Sequence, residues 1–393
     1  MPPSPDTPPA IPGAYALRSV YFAYLAAIGV AVPFFPPYLR GLGFSGGQIG
    51  WVLAAAPLMH LSGPLLWGFV TDRSRRPALV LRVALLGAAL GYLPLSVAHS
   101  FAAVFLIQLV HQVFSIALPG LTDSLALLRV RNSSDDYGRI RVWGSLGFVV
   151  SCLGMGQWLA RRSLPADPLI PLFVPAALMM AFALSFRLEG QGGKDRPNLH
   201  DARRLLADKR FQFILVTASV HWACAVPYHG FLGVHVQDRG MGARVISLAF
   251  AVSVLSEMLT FFYFRRIRKR FSLSTLLVLV TTVSAFRWLV TAWADDAILL
   301  VGIQALHGVT FGVFWASSLA WLTACVPEKL RATGQTVFTA VTFGMGAFFG
   351  ALAAGHVYEA TGSAVPAFVG AAVINLCQAL AIVLWGRKLT PEA

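Results

Sequence analysis

Charged residues are scarce in this chain of 393 residues: Asp, Glu, Lys and Arg together make up 12% of it, against 57% hydrophobic residues. A soluble domain carries about a quarter charged residues, so the composition argues against an ordinary water-soluble protein. Instead, apolar runs of about 20 residues recur along the chain, and a helix of that length crosses a hydrocarbon core about 30 Å thick. The composition therefore predicts an integral membrane protein.

Cysteine is also sparse, and several motifs of catalytic and nucleotide-binding sites are missing. The cysteines are each isolated within an apolar run and no C-x-x-C pair occurs, so we predict neither a metal site nor a disulfide framework. No P-loop and no H-E-x-x-H motif is present. We therefore expect no ATP-driven pump, no enzyme and no bound cofactor. The four cysteines are Cys152, Cys224, Cys325 and Cys377.

Positive charge is in excess, with a formal net charge of +14, but it is concentrated in short loops. Basic residues fall in every second loop between apolar runs, which is the positive-inside pattern of cytoplasmic loops. This distribution argues against a nucleic-acid partner and predicts that both chain termini are cytoplasmic. The basic loop residues are Arg73, Arg75, Arg76, Arg129, Arg131, Arg139, Arg265, Arg266, Arg268, Lys269, Arg270, Lys329, Arg331, Arg387 and Lys388.

The apolar runs predict twelve membrane-spanning helices in two groups of six. A polar stretch, 188–209, separates the groups, and we interpret it as a cytoplasmic linker. The predicted fold class is all-α and integral to the membrane, with two pseudo-symmetric six-helix bundles over 14–187 and 210–386 and a central cavity between them. A proline-rich tail, 1–13, is expected to be disordered, and 387–393 is expected to form a second cytoplasmic tail. The spans are expected near residues 14–39, 48–70, 78–97, 101–128, 139–161, 168–187, 210–236, 243–264, 273–293, 296–325, 331–358 and 364–386.

Several local motifs resemble those of one transporter family. The loop after the second span reads GFVTDRSRRP over 68–77, and it resembles the G-x-x-x-D-R-x-x-R signature loop of the major facilitator superfamily. This resemblance implies a major facilitator fold and alternating access. It also implies a cytoplasmic gate that contains Gly68, Asp72, Arg73 and Arg76, and we expect Arg139 to serve the same gate. Four further stretches, YGRIRVWGS (137–145), SEMLTFFYF (256–264), FRW (286–288) and LHGVTFG (306–312), are similar to the proton-symporter branch that contains phenylpropionic acid permeases and, more distantly, lactose and nucleoside permeases.

Acidic residues within the predicted spans are rare, and Asp123 and Glu257 are the two that lie well inside apolar runs. A charge at bilayer depth costs at least about 2.5–3.5 kcal/mol, so such side chains usually face the interior of a bundle. Because burial penalises the ionised form of a carboxyl group, a buried glutamate can exchange protons near neutral pH.

We predict a proton-coupling group of Glu257, Arg287 and His307, in which protonation of Glu257 releases Arg287. The alternative is a permanent Glu257–Arg287 pair. In the lactose-permease pattern an acid follows this histidine by three positions, but here Thr310 stands there, which places the coupling on Glu257.

The candidate substrate site combines an acid–arginine pair with polar and aromatic residues. Asp123 and Arg141 stand eighteen residues apart across the hairpin of the fourth and fifth spans. Sugar-permease relatives hold such a pair at this separation, where it contacts substrate; the alternative is a structural salt bridge. His60, His221 and His229 are assigned to packing. The other expected substrate-site residues are Tyr21, Tyr24, Trp143, Gln304, Phe311 and Trp315.

Together these features predict a secondary active transporter of a bacterial inner membrane that couples protons to the movement of a small organic solute. Protonating one buried acid leaves two arginines against one carboxylate, which favours a carboxylate substrate with an aromatic or apolar body. Proton-coupled uptake of a neutral sugar or nucleoside is the close alternative. Efflux of drugs or metabolites, and a sensor that does not transport, are further alternatives. The superfamily resemblance implies a monomer.

Overall fold

The structure, a computed structural model, describes residues 13–131, 136–162, 166–189 and 202–390, and every regular element in these ranges is a helix. The predicted all-α fold class is therefore confirmed. The predicted tail 1–13 apart from Gly13, the linker residues 190–201 and the last three residues, 391–393, lie outside the described residues.

Helices occupy all twelve predicted positions. In the described ranges, ten are long and apolar enough to cross a membrane, and a bent pair of helices makes an eleventh. Leu169–Ser185 has 17 residues, the lower end of the lengths that cross a bilayer. A short helix, Ala202–Ala207, lies within the predicted linker. The twelve helices are α1 Ala14–Gly41, α2 Gly46–His60 with Gly63–Ser74, α3 Pro77–Val97, α4 Phe101–Val130, α5 Tyr137–Leu159, α6 Leu169–Ser185, α7 Lys209–Asp238, α8 Ala243–Arg268, α9 Leu273–Trp293, α10 Ala297–Cys325, α11 Thr333–Thr361 and α12 Val365–Gly386.

Local sequence signals set the boundaries of α2. Ser45 starts it with a capping box, because its hydroxyl accepts from the Gln48 backbone N–H while the Gln48 side chain accepts from the Ser45 N–H. The two segments of α2 meet at an angle of 42°. Pro64 lies in the first turn of the second segment, where its missing N–H costs no helical hydrogen bond. That segment ends at Arg75, which has a left-handed φ of 53°.

Equivalent helices pack in the same way in both halves. In the first half α1 packs on α5 and α6, α2 on α4, and α3 on α6. In the second half α7 packs on α11 and α12, α8 on α10, and α9 on α12. The halves meet through two matching pairs, α2 with α11 and α5 with α8. This arrangement is the pseudo-symmetric pair of six-helix bundles that the sequence predicts.

The two halves are held together at the helix ends that lie away from the linker. Arg40, near the end of α1, forms an ion pair with Asp238 at the end of α7. The Gly47 backbone N–H, in the first turn of α2, donates to Glu359 near the end of α11 over 3.1 Å. We call this end of the molecule the outer end. These contacts close the path between the halves there.

Small residues let α2 and α11 approach closely at the outer end. A Cβ added to Gly50 would lie 2.8 Å from the Ala351 carbonyl oxygen and 3.0 Å from the Gly355 Cα. Such distances are too short for any side chain larger than hydrogen. The close approach therefore depends on glycine at this position.

The predicted cytoplasmic gate stands apart from the second half. Arg73, Arg76 and Arg139 are exposed, and Asp72 is half-buried. Within the described part of the chain, neither Asp72 nor Arg73 forms an ion pair with the second half. A Cβ on Gly68 would meet no heavy atom within 4 Å. The closing role of these residues therefore stays a prediction.

Candidate substrate and proton site

Arg287 lies at the centre of the second half. It sits in the middle of α9 and is 1% exposed. Its guanidinium donates to Gln304 Oε1 from Nε over 3.0 Å and from Nη2 over 2.7 Å. Nη1 donates to His307 Nδ1 over 3.0 Å and to Thr310 Oγ1 over 2.8 Å. All three acceptor side chains are neutral, so this buried cation has hydrogen bonds but no carboxylate partner among the described residues.

Aromatic rings form the walls around the guanidinium. Its Cζ lies 4.2 Å from the centroid of the Tyr228 ring and 4.6 Å from that of Trp288, both within cation–π range. The Phe311 ring stacks parallel on His307, with centroids 5.3 Å apart. A cavity of about 10 Å³, room for about one water, lies between these groups. It is lined by Trp222, Ala225, Tyr228, His229, Arg287, Trp288, His307, Thr310 and Phe311.

Irregular helical turns bring these groups together. In α10 a 3-10 turn, Gln304–Leu306, is followed by a π-helical turn, Gly308–Val313. α7 contains a second π-helical turn, Pro227–Phe231, which carries the tyrosine beside the guanidinium. Such turns shift the register of side chains and are frequent at functional sites. Here the shift lets three side chains of α10 reach one arginine.

The structure corrects the expected contact between Glu257 and Arg287. Glu257 Oε2 instead lies 3.9 Å from Nε2 of His307. The guanidinium can only donate, so His307 Nδ1 accepts and its Nε2 carries the N–H that faces Glu257. The histidine therefore stands between the two charged groups. The predicted Glu257–Arg287 contact is wrong because the position of a residue along a span does not fix the direction of its side chain. Neutral acceptors on α10 already take the hydrogen bonds that the guanidinium donates.

A positive charge from the other half acts on Glu257. α5 packs against α8 across the interface between the halves, and the charge that acts on the Glu257 carboxyl group is that of Arg141. The Glu257 side chain is 23% exposed, far more than His307 at 7%. Glu257 thus lies on α8, which packs against the helix that carries Arg141, and its carboxylate lies 3.9 Å from His307.

In the first half, Asp123 is held by two tyrosines rather than by an arginine. Its Oδ1 accepts hydrogen bonds from Tyr21 over 2.5 Å and from Tyr137 over 2.9 Å. Arg141 lies over the ring of Tyr21, with its Cζ 5.7 Å from the centroid. The structure therefore brings Asp123, Arg141 and Tyr21 together as predicted, but no Asp123–Arg141 ion pair forms. Tyr24, on the same helix as Tyr21, is also buried.

The remaining predicted aromatics are placed differently from one another. Trp315 packs on Phe338 and Phe343, with centroids 6.0 and 5.3 Å away, one turn beyond the cavity around Arg287. Trp143 is 41% exposed and shares one face of α5 with the exposed apolar Leu146 and Val150. That face suits contact with lipid. The structure therefore does not bring Trp143 to the site.

Sequence reasoning missed several residues that line the site. Tyr137 opens the motif YGRIRVWGS but is not among the predicted site residues. Trp222, Tyr228 and His229 of α7 lie around the cavity, with the His229 ring centroid 6.0 Å from that of His307. The sequence does contain a pattern that indicates these residues. Two histidine–aromatic pairs, His221–Trp222 and Tyr228–His229, stand seven residues apart in α7, and Pro227 lies just before the second pair.

Comparisons with known proteins agree with this architecture. The chain is 31% identical over 355 residues to the maltose permease of Geobacillus stearothermophilus, covering 88% of this chain and 89% of that protein. It is 24% identical over 348 residues to the probable 3-phenylpropionic acid transporter of Escherichia coli, covering 88% and 91%. The crystal structure of the nucleoside transporter NupG superimposes with a TM-score of 0.80 at 19% identity, covering 94% of this chain and 98% of that one.

The fold, the charged groups inside the bundles and these relatives define a multi-pass membrane transporter of the major facilitator superfamily and not an enzyme. Within it, the chain belongs to the MFS_1 like family, whose model matches residues 14–369.

Proposed function

We propose that this transporter carries a small organic carboxylate with an aromatic or apolar body, together with a proton. The observation that supports this most directly is the state of Arg287: it is buried, and the side chains that accept its hydrogen bonds, those of Gln304, His307 and Thr310, are all neutral. A buried cation is costly unless it is paired. A substrate carboxylate would supply the missing negative charge.

The balance of charge gives the proton its role. The central residues are two arginines, Arg287 and Arg141, and two acids, Glu257 and Asp123. With both acids ionised the interior is neutral. When Glu257 takes a proton the interior gains one positive charge, and a bound carboxylate cancels it. Proton and substrate therefore favour each other's binding, as symport requires.

His307 transmits the protonation of Glu257 to Arg287. Its Nε2–H faces Glu257 and its Nδ1 accepts from Arg287. Protonating Glu257 removes the negative charge that this N–H points toward, which frees the imidazole and the guanidinium to reorient toward a ligand. This route replaces a direct Glu257–Arg287 contact.

The closed outer end supports transport by alternating access. If the basic loops face the cytoplasm, the linker end is cytoplasmic and this conformation is inward-facing. Opening the outward side then requires the Arg40–Asp238 pair and the Gly47–Glu359 hydrogen bond to break. We place the protein in the cytoplasmic membrane of a bacterium, with both termini inside, acting as a monomer.

A neutral sugar is the second candidate substrate. It is favoured by the 31% identity to a maltose permease over most of both chains. Gln304, Thr310 and Asp123 could bind hydroxyl groups. In that case the charge on Arg287 would matter less than its hydrogen bonds.

Uptake into vesicles tests the proposal. Purified protein in liposomes is given an inward pH gradient, and accumulation of labelled 3-phenylpropionate, maltose and uridine is compared. One proton per substrate supports about tenfold accumulation per pH unit. We expect 3-phenylpropionate or a related carboxylate to accumulate, and a protonophore to abolish this. Accumulation of maltose without that of any carboxylate would reverse the assignment.

A further inference from the structure

His221 lies behind the cavity around Arg287 and is 2% exposed. Its Nε2 is 2.9 Å from the backbone carbonyl oxygen of Thr310, and its Nδ1 is 3.2 Å from Oδ1 of Asn375. The Asn375 amide nitrogen donates to the Ala371 carbonyl oxygen over 2.9 Å, so the amide oxygen faces the histidine. Each ring nitrogen of His221 therefore faces an atom that can only accept.

Two acceptors define the protonation state that this position suits. A neutral imidazole has one N–H and satisfies one of them, whereas an imidazolium has two and satisfies both. The face of the His221 ring lies against Phe314, with centroids 4.3 Å apart, which also suits a cation. The two acceptors thus suit a protonated histidine, whereas the burial of the side chain opposes the charge.

One neighbouring charge opposes that state. Arg287 of α9 is the charged group that acts on His221. α10 and α12 contain no Asp, Glu, Lys or Arg. The charged residue of α11, Glu359, lies at the outer end against Gly47. On its own helix the charged residues are Lys209, Arg210 and Asp238, which lie near the two helix ends. The other titratable groups of the helices packed around His221 are Cys224, Tyr228, His229 and His235 on its own helix, His307 and Cys325 on α10, His356 and Tyr358 on α11, and Cys377 on α12.

We propose that His221 is a proton-binding residue of the transport cycle, protonated when a substrate carboxylate neutralises Arg287. The inference rests on the proposed function, because it needs an anion at Arg287. Thr310 links the two groups, since its backbone carbonyl accepts from His221 and its hydroxyl accepts from Arg287. Protonating His221 strengthens its bond to that carbonyl and so fixes the π-helical turn of α10 in the liganded arrangement. By linkage, the same proton raises the affinity for the carboxylate.

Calorimetry on the full-length protein in detergent measures this directly. Binding of 3-phenylpropionate is followed in buffers of different ionisation enthalpy, which gives the number of protons taken up per ligand. We expect His221→Gln, which retains a donor toward the Thr310 carbonyl, to lower that number by up to about one proton. Asn375→Leu removes the second acceptor without altering the histidine, and we expect it to lower the number in the same direction.

His235→Gln is the matched control. His235 is another buried histidine of α7, but among the described residues only its Nε2 has an acceptor, the Thr291 carbonyl oxygen at 3.0 Å. We expect this variant to take up as many protons as the unmodified protein. Equal proton uptake in the unmodified protein and in both test variants would overturn the role of His221 and leave the proposed function standing. Binding without any proton uptake, or no binding of 3-phenylpropionate and benzoate, would overturn both.

Discussion

Replacing Arg287 with glutamine tests the charge that supports the carboxylate assignment. The side chain donates four hydrogen bonds, two of them to Gln304 Oε1, and is fully surrounded by protein. Glutamine retains some donors but removes the positive charge. A buried charge-assisted contact to a carboxylate is worth about 2–5 kcal/mol when one partner is removed. We therefore expect the Kd for 3-phenylpropionate to rise by about 30-fold to several thousand-fold.

Two comparison variants separate charge from structure. Arg287→Lys keeps the charge but loses the planar fork, so we expect an intermediate loss of affinity. Arg239→Gln removes an arginine at the outer end, which donates to the Ala292 carbonyl oxygen, and should leave affinity unchanged. Binding is measured by calorimetry, and a thermal melt in detergent shows that each variant is folded. A folded Arg287→Gln variant that binds the carboxylate as well as the unmodified protein would refute the reasoning.

Three further predictions follow from the contacts described. Glu257→Gln should abolish accumulation driven by a pH gradient while leaving substrate exchange partly intact; uphill uptake by this variant would show that the coupling proton binds elsewhere. Tyr137→Phe removes one of the two hydrogen bonds to Asp123, and we expect a loss of about 1–3 kcal/mol of stability or binding free energy, visible as a lower melting temperature or weaker binding. If both the melting temperature and the affinity stay unchanged, a role for this tyrosine is contradicted. Gly50→Leu should keep the outer end from closing, because its Cβ alone would lie 2.8 Å from the Ala351 carbonyl oxygen. A cysteine placed in the cavity should then react with a reagent added from outside. A cysteine that stays as protected as in the unmodified protein would contradict this expectation.

The length and spacing of apolar runs were enough to predict the helices. Each of the twelve expected positions holds a helix, because backbone groups in hydrocarbon must be bonded within the segment and a helix does this locally. The rarity of charge inside those runs also directs attention to Glu257, Arg287 and His307, since a side chain that is costly in lipid turns toward the bundle interior; their proton-coupling role stays a prediction. Both inferences use only information that is local in the chain.

Partners and directions required the three-dimensional packing. Sequence predicted a pairing of Glu257 with Arg287, but the 3-10 and π-helical turns of α10 set which acceptors reach the guanidinium, and no simple helical periodicity predicts such a turn. Trp143 was an expected aromatic residue of the substrate site, yet the packing of α5 against α1 and α8 turns it to the exposed face. Sequence alone therefore determined that the chain crosses the membrane and which ionisable side chains lie within the spans. Tertiary structure decided what each of them contacts, because contacts depend on helix rotation and on residues far apart in the chain.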